Sequence, residues 1–252
     1  MAVADQLTLR ERFLLYWGAL HIGEVIRRTM FFQAVQQTVL SKPGVFRVLD
    51  AGCGRGDNAL RMARRYPRTT VTAVDIDTAL TKLLSRRVNE KNLTNCQVVT
   101  ADITKPLPFS EHFDLIYSID VFEHLENPAL ALQNLSAHLV PNGLLLLHVP
   151  RLQQRRWFKK FTHYHQDDHA QEGYEPTALQ NLFKGAGLSI IAVRHTFGPP
   201  GALAWELYHL AHAHGKLAVL LIYPWTRLLA SIDMHIRWKR GNGILILASA
   251  RA

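Results

Sequence analysis

Val48-Leu49-Asp50-Ala51-Gly52-Cys53-Gly54-Arg55-Gly56-Asp57 is the stretch that decides the fold. The apolar run from Val45 to Leu49 reads as a buried strand. It ends in a carboxylate, Asp50, and then in glycines at alternate positions. Ala59, Leu60, Met62 and Ala63 follow with helical spacing. Strand, glycine turn and helix open a nucleotide-binding α/β unit. Without Cβ atoms such a turn can adopt positive φ and let a ligand lie against bare backbone. The helix N-terminus then offers unpaired N–H groups to an electron-rich ligand.

Outward from this stretch, strands and helices alternate. Strands are expected over 47–50, 70–75, 97–101, 113–118, 144–149, 189–195 and 244–250. Helices are expected over 57–65, 78–92, 128–139 and 176–186. Repeated β-α-β units imply a parallel sheet covered on both faces, with ligands at the C-terminal ends of its strands. The predicted fold is therefore a Rossmann-like three-layer α/β/α sandwich. Its seven-stranded, mostly parallel sheet has an antiparallel last strand, and a helical cap is added to it.

The loop spacing separates two kinds of ligand. A dinucleotide fingerprint is G-x-G-x-x-G, whereas Gly52, Gly54 and Gly56 form G-x-G-x-G. Asp75 ends the second strand, beside Ile76. A carboxylate there can accept hydrogen bonds from both ribose hydroxyls. Taken alone, it could also cap the helix that starts at Thr78. A third apolar strand, Val98-Val99-Thr100-Ala101, again ends in a carboxylate, Asp102, followed by Ile103. The fourth ends near Ser118 and runs into Asp120-Val121-Phe122-Glu123-His124. Pro141-Asn142-Gly143 makes a turn before the fifth.

Together these features, over roughly residues 45–150, resemble the class I S-adenosylmethionine (SAM) methyltransferases of small-molecule type. The Glu-His pair is similar to the ubiquinone and menaquinone branch. The resemblance implies SAM as cofactor and S-adenosylhomocysteine as product. It places Gly52, Gly54 and Gly56, with Asp50, at the methionine end, Asp75 and Ile76 at the ribose, and Asp102 and Ile103 at the adenine. Ser118 and Asp120 then face the methyl donor. Glu123 and His124 are the candidate catalytic pair, with His124 a general base for a hydroxyl nucleophile. No Asn-Pro-Pro-Tyr or Asp-Pro-Pro-Tyr follows the fourth strand, and that motif would have suggested amino methylation of a base or glutamine.

Similar methyltransferases carry a histidine-rich loop where this chain has His163-Tyr164-His165-Gln166-Asp167-Asp168-His169, ahead of Gly173-Tyr174. His163, His165, His169 and Tyr174 are accordingly the candidate substrate wall. The loop's side chains also suit a metal, but no H-x-x-x-H on a helix or cysteine supports one, and no metal is expected.

Two apolar segments flank this core. One is the N-terminal helical cap, 1–40. The other is a helical insertion, 199–241, within a SAM-binding domain of 41–252. The insertion reads as two helices joined near His214-Gly215, the second broken at Pro224. Its apolar surface has to be buried against the N-terminal helices, a second subunit in a homodimer, or a bilayer. If both segments cover the site with apolar faces, they predict a lipid-like or aromatic acceptor such as a quinone or isoprenoid precursor.

The net charge of +9 favours an anionic partner. Peripheral membrane contact fits it. RNA methylation fits it as well, but the apolar cap argues against nucleic acid. Metal-assisted chemistry on the same fold is a further alternative. Met1 to Leu9 lacks the basic and apolar regions of a signal peptide, and Cys53 and Cys96 read as free thiols of a reducing compartment. The expected location is the cytoplasm, with contact at the inner face of the membrane.

Overall fold

The computed structural model describes residues 20–39, 46–162 and 170–250. Helix α1 (Ile22–Val39) precedes β1 (Phe46–Ala51), α2 (Asp57–Arg65), β2 (Thr69–Asp75), α3 (Thr78–Glu90), β3 (Cys96–Thr100) and β4 (Phe113–Ile119). The chain continues through α4 (Pro128–Ala137), β5 (Leu139–Pro150), α5 (Pro176–Gly185), β6 (Leu188–Thr196), α6 (Pro199–Ala213), α7 (Lys216–His235) and β7 (Gly243–Ala250). The strands form one sheet in the order β3-β2-β1-β4-β5-β7-β6. From β3 to β5 the pairing is parallel, and β7 runs antiparallel to both β5 and β6. This is the fold class expected from the sequence.

Near-continuous apolar strands need cover on both faces. One face packs on α1, α2, α3, α6 and α7 through Ile26, Phe31, Met62, Leu84 and Ala204. The other packs on α4 and α5 through Leu132, Leu135, Leu179 and Phe183. Helix α1 thus shares a core with the sheet. The part of the expected N-terminal cap before residue 20 lies outside the described residues.

Local chemistry sets the helix starts. Asp77 caps α3 by accepting from Ala79 N at 2.7 Å. Asp75 is thereby left for another role. Asn127 caps α4, with Pro128 in the first turn.

Two expectations change. Pro141-Asn142-Gly143 does not precede β5 but lies inside it. The α4 helix stops at Ala137, the strand starts at Leu139, and Asn142 takes φ 59° where the β4–β5 register shifts. The turn is a bulge within a longer strand. Helix α7 is not broken at Pro224 but continues to His235. Proline removes the hydrogen bond to the carbonyl four residues back, that of Leu220. Both residues lie on the exposed side of the helix, so the freed carbonyl is not sealed in the core.

Candidate functional site

The glycine loop leaves β1 and turns into α2 with positive φ at Gly52 (82°), Gly54 (53°) and Gly56 (74°). A Cβ on Gly52 would overlap the Val121 side chain, so the loop and the segment after β4 lie backbone to side chain. Above Gly54 the space is open. Asp75 braces the loop: its Oδ2 accepts from Gly54 N at 2.7 Å and its Oδ1 from Asp77 N at 2.9 Å. A carboxylate has about four acceptor positions, so each oxygen keeps a place for a ribose hydroxyl. Ile76 beside it is 68% exposed, an open apolar surface at the strand end suited to a purine. Asp102 takes Thr104 N at 2.9 Å and Thr104 Oγ1 at 2.6 Å, which holds its carboxyl below the usual range. Its Oδ2 meets Lys105 at 3.4 Å. Ile103 is buried and its carbonyl accepts from Asn134 at 3.2 Å. Bare backbone at Gly54, a carboxylate at Asp75 and an acceptor at Asp102, all at one edge of the sheet, fit the groups of SAM.

Asp50 and Ser118 do not reach that face. Asp50 is buried and accepts from Tyr117 OH at 2.8 Å. Burial pushes its carboxyl up to about 7, against the opposing hydrogen bond from Tyr117. Ser118 is also buried and donates to the Ala51 carbonyl at 2.8 Å, which joins β4 to β1. Both are strand-end polar groups turned inward, and they hold the loop's foundation. Arg87 does similar work from α3, bonding Asp57 at 2.7 Å and the Arg55 carbonyl.

Next to the loop lies a cavity of about 500 Å³, within the usual range for small-ligand sites. Helical periodicity supplies two of its walls. Positions 21, 24 and 27 fall on one side of α1 and contribute His21, Glu24 and Arg27. Positions 202, 205 and 209 fall on one side of α6 and contribute Ala202, Trp205 and His209. The strand ends add Asp120, Glu123, His124, His148 and Arg151, and the following loops add Arg156, Phe161 and Glu172. The wall is chiefly polar and charged. Among the described residues the expected apolar interior is not found, because the apolar residues of α1 point into the sheet core and its charged face points into the cleft.

Asp120 sits at φ 52° and is the hub of a network. Arg27 Nε meets its Oδ2 at 2.9 Å, and His148 Nδ1 donates to its Oδ1. Burial opposes its ionisation, but Arg27 and His148 outweigh burial and hold its carboxyl well below the usual range. His148 Nε2 shares a hydrogen bond of 2.8 Å with Thr196 Oγ1. These partners lie on β5 and β6, with β7 between them. The bond passes over Gly243, which pairs with both Pro150 and Thr196. A Cβ there would overlap Thr196 Oγ1 and stand 2.8 Å from His148 Nε2. Glycine at this position is what lets two strands, one removed from each other, share a side-chain bond.

The candidate pair Glu123 and His124 forms a short 3-10 turn at the cavity, Glu123 buried and His124 exposed. Tyr174 does not line the cavity. It is buried, and its hydroxyl donates to the Phe122 carbonyl at 2.8 Å, so it supports that turn from behind. His163, His165 and His169 lie outside the described residues. Sequence reading missed Arg27, His148 and Thr196. The signal for His148 was a single polar residue in an otherwise apolar strand. Arg27 and Thr196 gave no local sign.

Helix α1 also ties the two halves of the cleft. Glu24 bonds Arg55 of the glycine loop at 2.6 Å, while Arg27 reaches Asp120. His21, at its start, has its imidazole pushed down to about 3 by burial, by Arg27 and by His209. On the far wall Arg156 lies over the Trp205 ring at 4.9 Å, and Trp205 lies 3.8 Å from the His209 ring.

Comparison with known proteins agrees with this geometry. A family model described as a methyltransferase domain matches residues 22–193. Trans-aconitate 2-methyltransferase of Deinococcus radiodurans is 30% identical over 214 residues, covering 83% of this chain and 73% of that protein. (S)-Coclaurine N-methyltransferase of Thalictrum flavum is 29% identical over 124 residues, 45% of this chain. The match spans only about a third of that plant enzyme's length. Among solved structures, coclaurine N-methyltransferase bound to N-methylheliamine and S-adenosylhomocysteine shares the fold. Its TM-score is 0.61 at 22% identity, over 88% of this chain and 72% of that one. The [4+2]-cyclase SpnF does too, with a TM-score of 0.62 at 19% identity, over 89% and 81%. With the glycine loop, the two strand-end carboxylates and the 3-2-1-4-5-7-6 sheet, these matches establish that the chain belongs to the class I SAM-dependent methyltransferase family, whose cofactor is SAM.

Proposed function

We propose that this chain transfers the methyl group of SAM to a small acceptor bearing an anionic group, a carboxylate above all. The observation that carries the reading is the polar cavity beside the glycine loop, whose wall holds Arg27, Arg151 and Arg156 among the carboxylates Glu24, Asp120, Glu123 and Glu172. A guanidinium group can bind a carboxylate through two parallel hydrogen bonds, and the protein's net charge of +9 favours the approach of anions. The likeness to a trans-aconitate methyltransferase over most of the chain supports the same class of acceptor.

Bound SAM supplies a methyl group already activated on a positive sulfur. The residues named here bind and align. Asp75 and Asp102 grip the nucleoside, and the glycine loop carries the methionine end. A carboxylate acceptor has no proton to lose, so alignment and exclusion of water are the main needs. Arg27 is held in place by Asp120, which His148 and Thr196 orient in turn. Trp205 and Phe161 give the acceptor's body an aromatic wall. For a hydroxyl acceptor, His124 at the cavity edge would take the proton.

The test is S-adenosylhomocysteine formation across three sets of acceptors: small di- and tricarboxylates, alkaloid-type amines and quinols. Turnover with the acids, lost in Arg151→Ala with SAM affinity retained, is the expected result. Turnover confined to amines would transfer the reading to Glu24 and Glu172 as binders of a cation. Turnover confined to quinols would restore the apolar acceptor expected from the sequence.

A further inference from the structure

Helix α7 carries an apolar face that the other described residues leave uncovered. Leu217, Leu220, Leu221, Trp225, Leu228 and Ile232 are all exposed, Leu217 and Leu221 to about 70%. At 100° per residue they fall within one arc of about 140°. Val219, Thr226, Ala230, Asp233 and Met234 occupy the opposite side and are buried. The stripe is therefore a designed face of the helix and not a scatter of surface leucines.

Charge identifies what covers it. Between Pro199 and Gly243 the only carboxylates are Glu206 and Asp233, and both are fully buried. Glu206 is bound by the Trp157 and Phe158 amides at 2.8–3.1 Å. Of the segment's cations, Arg227 is half-buried within α7, while Lys216 at the start of α7 and Arg237, Lys239 and Arg240 just beyond its end are exposed. An apolar stripe bounded at both ends by exposed cations, with no exposed carboxylate, does not suit a second copy of itself. Antiparallel pairing would set Lys216 against Arg237 and Lys239. It suits a surface that is apolar beneath and anionic above.

We infer that the exposed face of α7 docks in the plane of an anionic lipid membrane. Leucines and Trp225 enter the headgroup boundary, and the terminal cations meet lipid phosphates. The helix is long and apolar enough to cross a bilayer by length and composition. However, it is packed against α1 and α6, and its buried side forms part of the domain core. Lying flat keeps that core intact, whereas spanning would tear it out. The inference is independent of the acceptor's identity.

Flotation with purified protein and vesicles tests it directly. Vesicles of phosphatidylcholine with 30 mol% phosphatidylglycerol, roughly a plasma-membrane charge density, should carry the protein upward. Pure phosphatidylcholine should carry much less, and 0.5 M salt should weaken binding as screening predicts. Leu221→Gln with Leu228→Gln should reduce the bound fraction tenfold or more (~10-fold, from the apolar area withdrawn), with SAM affinity unchanged as proof of folding. Absence of binding to the anionic vesicles, or equal binding by the double variant, overturns the inference. So does a concentration-dependent dimer in light scattering that the double variant abolishes, since a second copy would then own the face.

Discussion

The two sides of the cleft are built by opposite means. The cofactor side uses backbone and carboxylates: the Gly52–Gly56 loop, Asp75 and Asp102, each at the end of a neighbouring strand. The proposed acceptor side uses aromatic side chains and charged ones of both signs, drawn from α1, β5, α6 and the loops after them. The sheet flanks β1 and β2 on both sides and β3 on one, so the groups at their ends come into register without further help. The acceptor groups have no common frame, and each needs its own brace. Arg27 has Asp120, Asp120 has His148, and His148 has Thr196. The lesson is that a shared ligand can be bound by the frame, while a particular ligand is bound by what is hung on it.

That division can be broken from either side. Asp75→Ala should have the largest effect. It removes two places for ribose hydroxyls and the brace on Gly54, and SAM affinity should fall about 100-fold at charged hydrogen-bond strengths. Calorimetry showing unchanged affinity would sink the assignment. Gly243→Ala should do the reverse. Its Cβ would part His148 from Thr196, so kcat/KM for the acceptor should drop about 30-fold (~2 kcal/mol, in the range of overpacking and misalignment). SAM affinity should stay within about twofold. A matched loss of both would mean that the two sides are not separable.

The smallest effect is at Asp50, beneath the loop. Its folded pKa is raised from 3.8 to about 7. The protonated form is therefore the one the fold prefers. Its contribution to stability is complete below about pH 4 and lost as pH rises toward 7. Asp50→Asn keeps an acceptor for Tyr117 and cannot ionise, so its melting temperature should decline less across that window, by a few degrees. Identical thermal profiles from pH 4 to 8 would refute the assigned burial cost.

The glycine loop, Asp75 and Asp102 lie together at the strand ends as the sequence led us to expect, because each follows a strand within a contiguous motif. Asp75 and Asp102 could be placed by counting from Gly52. Two other residues expected there turn inward for a single reason. Asp50 and Ser118 are also polar residues at strand ends, and sequence does not show which way a strand-end side chain turns. Tyr174 was expected at the substrate from the family likeness of its loop, whereas its hydroxyl is occupied by the Phe122 carbonyl. The acceptor side was mostly hidden. Arg27, His148 and Thr196 are separated by 121 and 48 positions, and only the crossing of β5, β7 and β6 brings the last two together. The polarity of the cavity was hidden too. An amphipathic helix shows that it has two faces, but not which of them meets the cleft.

The two ion pairs of α1 bear on how the cleft responds to salt. Glu24–Arg55 and Arg27–Asp120 fasten one helix to donor and acceptor sides at once. A ligand in the cleft therefore lies beside one core-anchored helix that is braced to both walls. Both pairs are partly exposed and weaken in salt. Added salt should therefore slacken both walls of the cleft together, through a single helix.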